Sequence, residues 1–340
     1  MANTKTNKMI KSHMRILSNS LLLCFALFSF STLGATSNIS LHAHEKYASQ
    51  KSENLFIPFT AETSASKEEL YSVVKNCTVL KATNDIKKII TTQPEFIKLK
   101  LPINDGQQFL DVILYKVNIS PNGFKIITSN GESAEAAVVN YRGALLNDHS
   151  SVASFTFSEN ETMGLICTSS GNFVLGKIEN DPSNNFMIYN DRDLIPTLNF
   201  ECPTDVSVPQ NYSQRNDDGQ SVATVKCVNW YWETDYDVFV NKGSSANVNS
   251  YMQGIFNQVS TLYANDGISI TLQTLYIWTT TDPYTGPSTG DFLTQFGVNR
   301  TSFAGDLANL IGYAGGGGVA YVNGLCNNQT KIKQGYCGIN

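Results

Sequence analysis

Gly315, Gly316, Gly317 and Gly318 separate two short apolar runs, residues 306–311 and 319–325. A backbone bare of side chains lets a second backbone lie close against it. With few charges nearby, it suits a sheet edge that pairs with an extended peptide. A flexible connector between two strands has the same composition. The glycines do not form a phosphate loop, because no Lys-Ser or Lys-Thr follows them and the strand–helix order is reversed. Asp148, His149 and Ser150 are adjacent, which suits loop polarity, since the members of a catalytic triad converge from separate segments. No nucleophile elbow occurs.

Beyond residue 35 the cysteines are Cys77, Cys167, Cys202, Cys227, Cys326 and Cys337. An even number in an exported chain fits disulfides, whose pairing the spacing leaves open. No two of them form a CxxC pair, which argues against a zinc ribbon or a thioredoxin-like site.

The elements that must position these residues are clearest at the C-terminal end. Val228, Trp230, Trp232, Tyr236, Val238 and Val240 alternate with Asn229, Glu233, Asp235 and Asp237, predicting a half-buried strand over 228–240. Val248, Met252, Ile255, Phe256, Val259 and Leu262 recur at helical spacing, with Gly267 as a stop. Ile268, Ile270 and Leu272 alternate again and lead to Tyr276 and Trp278. A short helix is expected over 291–296, ended by Gly297. Strand, helix, strand, helix, strand is an α/β order with a mixed, mostly parallel twisted sheet and flanking helices.

The preceding region reads differently. Residues 36–66 are polar and aperiodic, a lead-in, and a short helix fits from Glu68. Short strands are expected over 109–117, 124–128, 136–141, 152–157, 163–167, 173–178 and 186–189, with turns such as Pro121-Asn122-Gly123 between them. Residues 36–202 therefore form a β-rich region. Residues 203–222 carry Pro203, Pro209 and the tract QNYSQRNDDGQS, the composition of an exposed linker and protease target.

The chain of 340 residues has room for about two domains. Its 41% hydrophobic and 16% charged residues suit a globular, rather polar protein. A net charge of −5 without a long basic run argues against nucleic acid as a partner. Lys5, Lys8, Lys11 and Arg15 precede an apolar stretch over 16–33, followed by Gly34 and Ala35. This is the layout of a signal peptide spanning 1–35, and it implies secretion. A retained membrane anchor is the alternative, against which Ser18, Asn19, Ser20, Ser29 and Ser31 dilute the apolar run.

Taken together, VNWYWETDYDVF, STLYANDG, ISITLQTLYIWTTTDPY and GDLANLIGYAGGGGVAYVNGLC resemble the metzincin zinc endopeptidases, in particular the reprolysin or adamalysin branch, over residues 223–340. The resemblance implies a secreted precursor acting on protein or peptide substrates, with residues 36–202 as its prodomain. The glycine-rich strand would form the upper rim of the cleft, where Gly317, Gly318, Val319, Ala320 and Tyr321 align the substrate backbone. The family's zinc motif, HExxHxxGxxH, would lie beyond residue 340, because the histidines here are His13, His42, His44 and His149, all outside the matching region. This stretch alone is then expected to be inactive. Cys202 is the candidate for a thiolate latency switch, although its surroundings differ from the familiar motif; a disulfide with Cys167 or Cys77 is the other reading. Asp306 is the calcium candidate, opposite Asn229 where the family carries an acid. A secreted non-catalytic binding or adhesion protein on the same scaffold is the alternative function.

Overall fold

The structure is a computed structural model that describes residues 37–50, 55–62, 70–121, 123–179, 181–195, 227–314 and 317–339. The expected signal peptide, the linker and Cys202 lie outside the described residues.

In chain order the elements are α1 (Asn38–Gln50), β1 (Leu55–Phe56), β2 (Phe59–Ala61), β3 (Cys77–Ala82), α2 (Asn84–Thr92), β4 (Phe96–Ile103), β5 (Gln108–Val117), β6 (Lys125–Thr128), β7 (Val139–Leu145), β8 (Asp148–Phe157), β9 (Met163–Thr168), β10 (Gly171–Lys177) and β11 (Phe186–Asn190). They continue with β12 (Cys227–Thr234), α3 (Tyr236–Lys242), α4 (Ser245–Asn265), β13 (Ser269–Ile277), α5 (Thr289–Asn299), β14 (Leu307–Gly312), β15 (Gly318–Ala320) and β16 (Gln334–Gly338).

The strands build two sheets. The first runs β1-β4-β5-β7-β8-β9-β10-β11-β3-β2 and is antiparallel except for the β1–β4 pair. Alternating side chains from its strands, such as Leu99, Leu101, Val112, Leu114, Tyr141 and Phe155, share one core with Ile86 and Ile89 of α2. The Thr83 hydroxyl accepts the Asp85 N–H and starts α2, and Gln93 ends it in the left-handed conformation at φ 42°. Residues 37–50 and 55–62 are more regular than their composition suggests: α1 docks by burying Ile39 and Ala43, and two short strands join the first sheet. Burial of a few small apolar residues decides this helix, a signal too sparse to read as a period.

The second sheet runs β15-β16-β14-β12-β13-β6. All of its pairings are parallel except β15 with β16. Helix α4 covers one face, where Val248, Met252 and Phe256 meet Trp232, Leu272 and Leu275. Helix α5 covers the other, where Phe292, Leu293 and Phe296 meet Tyr231, Leu310 and Tyr336. The central strand β12 is thus buried on both faces, as parallel strands in an α/β layer are. The half-buried strand expected over 228–240 is corrected twice. Its second face is closed, with Tyr231 at 4% and Glu233 at 0% exposure. The strand also stops at Thr234, because the Asp235 side chain accepts the Val238 N–H and opens α3. Gly243 closes that helix in the left-handed region at φ 75°.

Helix α5 passes through Gly297 to Asn299, held at its start by a capping box between Ser288 and Asp291. A glycine inside a helix weakens it without ending it when packing pins both flanks. The strand expected over 319–325 shortens to β15, and β16, unread in the sequence, inserts between it and β14. β6 comes from the β-rich region yet belongs to the second sheet, paired with β13 from Lys125↔Thr274 to Thr128↔Ile277.

Candidate functional site

β15 is the edge of the second sheet and runs antiparallel to β16, with Gly318↔Cys337, Val319↔Tyr336 and Ala320↔Gly335 opposed. The Gly338 N–H donates to the Gly317 carbonyl at 2.7 Å. Antiparallel pairs alternate between bonded and unbonded, so Val319–Tyr336 is the next bonded pair. Gly318 and Ala320 then turn their N–H and C=O groups away from β16, towards the open side of the edge. Gly317 sits at φ +91°, which favours glycine. A Cβ on Gly318 would instead meet the Tyr336 carbonyl oxygen at 3.2 Å. Val319 packs against the core beneath α5, while Ala320 and Tyr321 are exposed. The five residues proposed from sequence thus lie in one stretch, and its outward backbone groups are those an added strand would use.

Asp306 lies just before β14 and locks it to β12. Its Oδ2 accepts the Asn229 N–H at 2.8 Å and the Asn229 side-chain amide at 3.3 Å, and its own N–H donates to the Asn229 carbonyl at 2.7 Å. Asn229 Oδ1 is taken by the Thr271 hydroxyl at 2.7 Å. With N–H donors facing the carboxylate, this pair does not fit a calcium ion, which needs a cage of oxygens.

The described histidines also do not fit a zinc centre. His42 and His44 belong to α1 and His149 to β8, all on the first sheet's side of the structure. His44 turns Nδ1 to the Ser40 carbonyl at 2.8 Å and Nε2 to the Leu146 carbonyl at 3.1 Å. It stacks on His149 at 3.8 Å between ring centroids, a geometry that does not converge two lone pairs on one point. Among the described residues no group of three or more His, Cys, Asp and Glu could hold a metal ion. Asp148 accepts from the Ser150 hydroxyl at 2.6 Å, a local loop contact. The disulfides expected from the cysteine count are not formed by Cys167, Cys227, Cys326 or Cys337.

Sequence reasoning missed a buried polar cluster centred on Glu233. The Glu233 carboxylate, fully buried in β12, receives four donors. Its Oε1 accepts from Trp278 Nε1 at 2.6 Å and the Tyr284 hydroxyl at 2.7 Å, and its Oε2 from the Tyr231 hydroxyl and Arg300 Nε, each at 2.7 Å. The Arg300 guanidinium lies 4.7 Å from the ring centroid of Tyr276. It lies 5.5 Å from that of Tyr231. Burial and the neighbouring Glu233 charge push the Tyr231 and Tyr284 hydroxyls far above the usual phenol range. Burial opposes the Arg300 charge, but its bond to Glu233 and the attraction to it hold the guanidinium above its ordinary value. The only sequence signal was period two: Tyr231 and Glu233 share a face that closes only when α5 lies over it.

Asp235, one turn of the chain further on, is pushed up to about 7, chiefly by burial, with Asp282 and Asp237 adding repulsion against the Val238 N–H bond. Gly312 gives this carboxylate its space, since a Cβ there would lie 1.8 Å from Asp235 Oδ2.

A largely parallel sheet with one antiparallel edge strand and a helix on each face forms an α/β layer. Residues 224–338 match the family model described as Reprolysin_5, metallo-peptidase family M12. No curated protein matches the chain. Among solved structures, metalloproteinase-II from Bacteroides fragilis aligns at a TM-score of 0.37 and 11% identity, over 75% of this chain and 79% of that one. A chaperone–substrate complex aligns at a TM-score of 0.27 and 12% identity, over 72% of this chain and 44% of that one. At these scores neither likeness carries an argument.

Proposed function

We propose that this chain is the N-terminal portion of a secreted zinc metalloendopeptidase precursor of the reprolysin type, and that β15 is its substrate-aligning rim. The observation that carries the reading is the edge position of β15, within a stretch that matches the M12 metallopeptidase family. An extended peptide laid along β15 would exchange backbone hydrogen bonds with Gly318 and Ala320, which orients its chain direction, while side-chain pockets would supply preference. In this reading residues 1–35 direct export, residues 36–202 accompany the peptidase region as its prodomain, and Cys202 is the candidate latency thiol. In this reading the zinc ligands would come from outside the described residues, and the part played by the residues described is to align the substrate.

The test is hydrolysis of an unfolded protein by the native gene product, expressed from its whole reading frame, with and without a zinc chelator. Chelator-sensitive cleavage is expected. Peptide binding without cleavage overturns the enzyme reading and favours the non-catalytic binding protein.

A further inference from the structure

β13 would be the second edge of the C-terminal sheet if residues 227–339 stood alone. An edge strand exposes a row of unpaired backbone groups and invites pairing with another chain. Here β6 occupies that edge over four residue pairs. The contact continues past the strand at both ends: the Ser129 N–H donates to the Ile277 carbonyl at 3.0 Å, and the Ser120 hydroxyl donates to the Leu272 carbonyl.

The side chains around β6 are built into the same core. Ile119 and Ala134 are buried in one cluster with Trp232, Phe256, Leu275 and Ile277, and Ile126 packs against it. Helix α4 closes the far side by touching both sheets. Asn257, with 0% exposure, points its amide at the Tyr141 and Phe155 carbonyls of the first sheet at 3.3 and 3.0 Å. A Cβ on Gly254 would lie 2.4 Å from Met163 Sδ, so the helix and β9 are in direct contact. Lys242, its side chain 7% exposed, pairs with Glu179 at 3.0 Å. Residues 37–340 accordingly cluster as one compact unit.

We propose that the N-terminal half is a permanent structural partner of the C-terminal sheet. A chain cut between residues 203 and 222 then persists as a two-piece protein, with β6 still paired to β13. Because β6 and β15 are opposite edges of the sheet, a retained N-terminal half leaves the β15 edge unpaired by it. This inference is independent of the peptidase reading: it concerns cohesion, and it stands or falls without any catalytic activity.

The experiment introduces the recognition sequence of a specific protease between Asp217 and Asp218 of the full chain. Cleavage is confirmed on a denaturing gel, and the cut protein is passed over a sizing column in reductant at serial dilution. The two pieces are expected to co-elute at the size of the uncut chain. In hydrogen exchange, the amides of β6 should keep the same protection before and after the cut. Elution of the C-terminal piece alone, with the uncut protein's near-UV spectrum, overturns the proposal. A second arm places Ile126→Asp, which sets an unpaired carboxylate against the shared core, and Val298→Asp, which is exposed, in separate cut proteins. Ile126→Asp should weaken association of the pieces on the order of a hundredfold, while Val298→Asp leaves it unchanged. Equal association of the two variants overturns the assignment to β6.

Discussion

The Glu233 carboxylate meets Arg300 Nε at 2.7 Å from a position with no solvent contact, while the guanidinium still reaches the surface with 23% of its side chain exposed. The pair ties β12 to the end of α5. Removing one partner of such a pair leaves the other charge buried and uncompensated, which costs about 3–5 kcal/mol. Arg300→Met is therefore expected to lower unfolding stability by about 3 kcal/mol, the low end, because water still reaches the guanidinium side. Glu233→Gln should also destabilise, since its NH2 would face either the Trp278 N–H beside the Tyr284 hydroxyl or the Arg300 Nε–H beside the Tyr231 hydroxyl, in each case an N–H that cannot accept. The double variant should cost less than the sum of the singles. Urea unfolding of the four proteins measures the coupling, and additive losses would refute it.

Asp235 carries a pH dependence with a definite sign. Its folded value of about 7 lies above the unfolded value of about 4, so the folded state holds the proton through that window. Its contribution to stability is complete below about pH 4 and is lost as the pH rises through about 7. Asp235→Asn keeps a capping side chain and cannot ionise. Its urea midpoint should fall less between about pH 5 and 8 than that of the parent, a window set by those two values. Parallel profiles for the two proteins would contradict this.

How much of this was legible beforehand differs by element. The strands of the first sheet follow period-two runs bounded by turn residues, so 109–117 and 186–189 read almost as β5 and β11 appear. Composition marked the glycine-rich stretch but left an edge strand and a flexible connector open, since both want a bare backbone. β12 misled because its pattern continues through Tyr236, Val238 and Val240, where alternation and the first turn of a capped helix share the same apolar positions. β16 was hidden because QGYCG holds only Tyr336 as a large apolar residue, and two neighbouring strands supply its remaining order. β6 was read as a strand, but which sheet it joins depends on residues about 150 positions away. The Glu233 cluster gathers Tyr231, Trp278, Tyr284 and Arg300 from separate segments, a convergence no local window contains.

Gly312→Ala tests the close packing beside Asp235. A Cβ 1.8 Å from the carboxylate oxygen must either turn the Asp235 side chain off the Val238 N–H that it caps or move β14. Overpacking of this kind costs about 1–3 kcal/mol. Thermal melting should show the loss, and Asp235→Ala placed in the same chain should recover part of it by emptying the space. No recovery would mean that the strain lies elsewhere in β14.

The rim itself can be tested by separating its two sets of backbone groups. Ala320→Pro deletes an N–H that faces the open side of the edge and leaves the Val319–Tyr336 bonds to β16 in place. Val319→Pro instead removes a bond within the sheet and a side chain from the core beneath α5. Ala320→Pro is therefore expected to leave the melting temperature nearly unchanged while weakening binding of an extended peptide roughly tenfold, about the worth of one net backbone hydrogen bond. Val319→Pro should lower the melting temperature outright. Gly318→Val adds bulk 3.2 Å from the Tyr336 carbonyl oxygen without requiring a left-handed backbone, so its effect should be steric and confined to the edge. Peptide titration followed by amide shifts at Gly318, Tyr321 and Tyr336 reads binding, and melting reads stability. Equal peptide affinity for the parent and Ala320→Pro, with both folded, would remove β15 as the surface that aligns substrate.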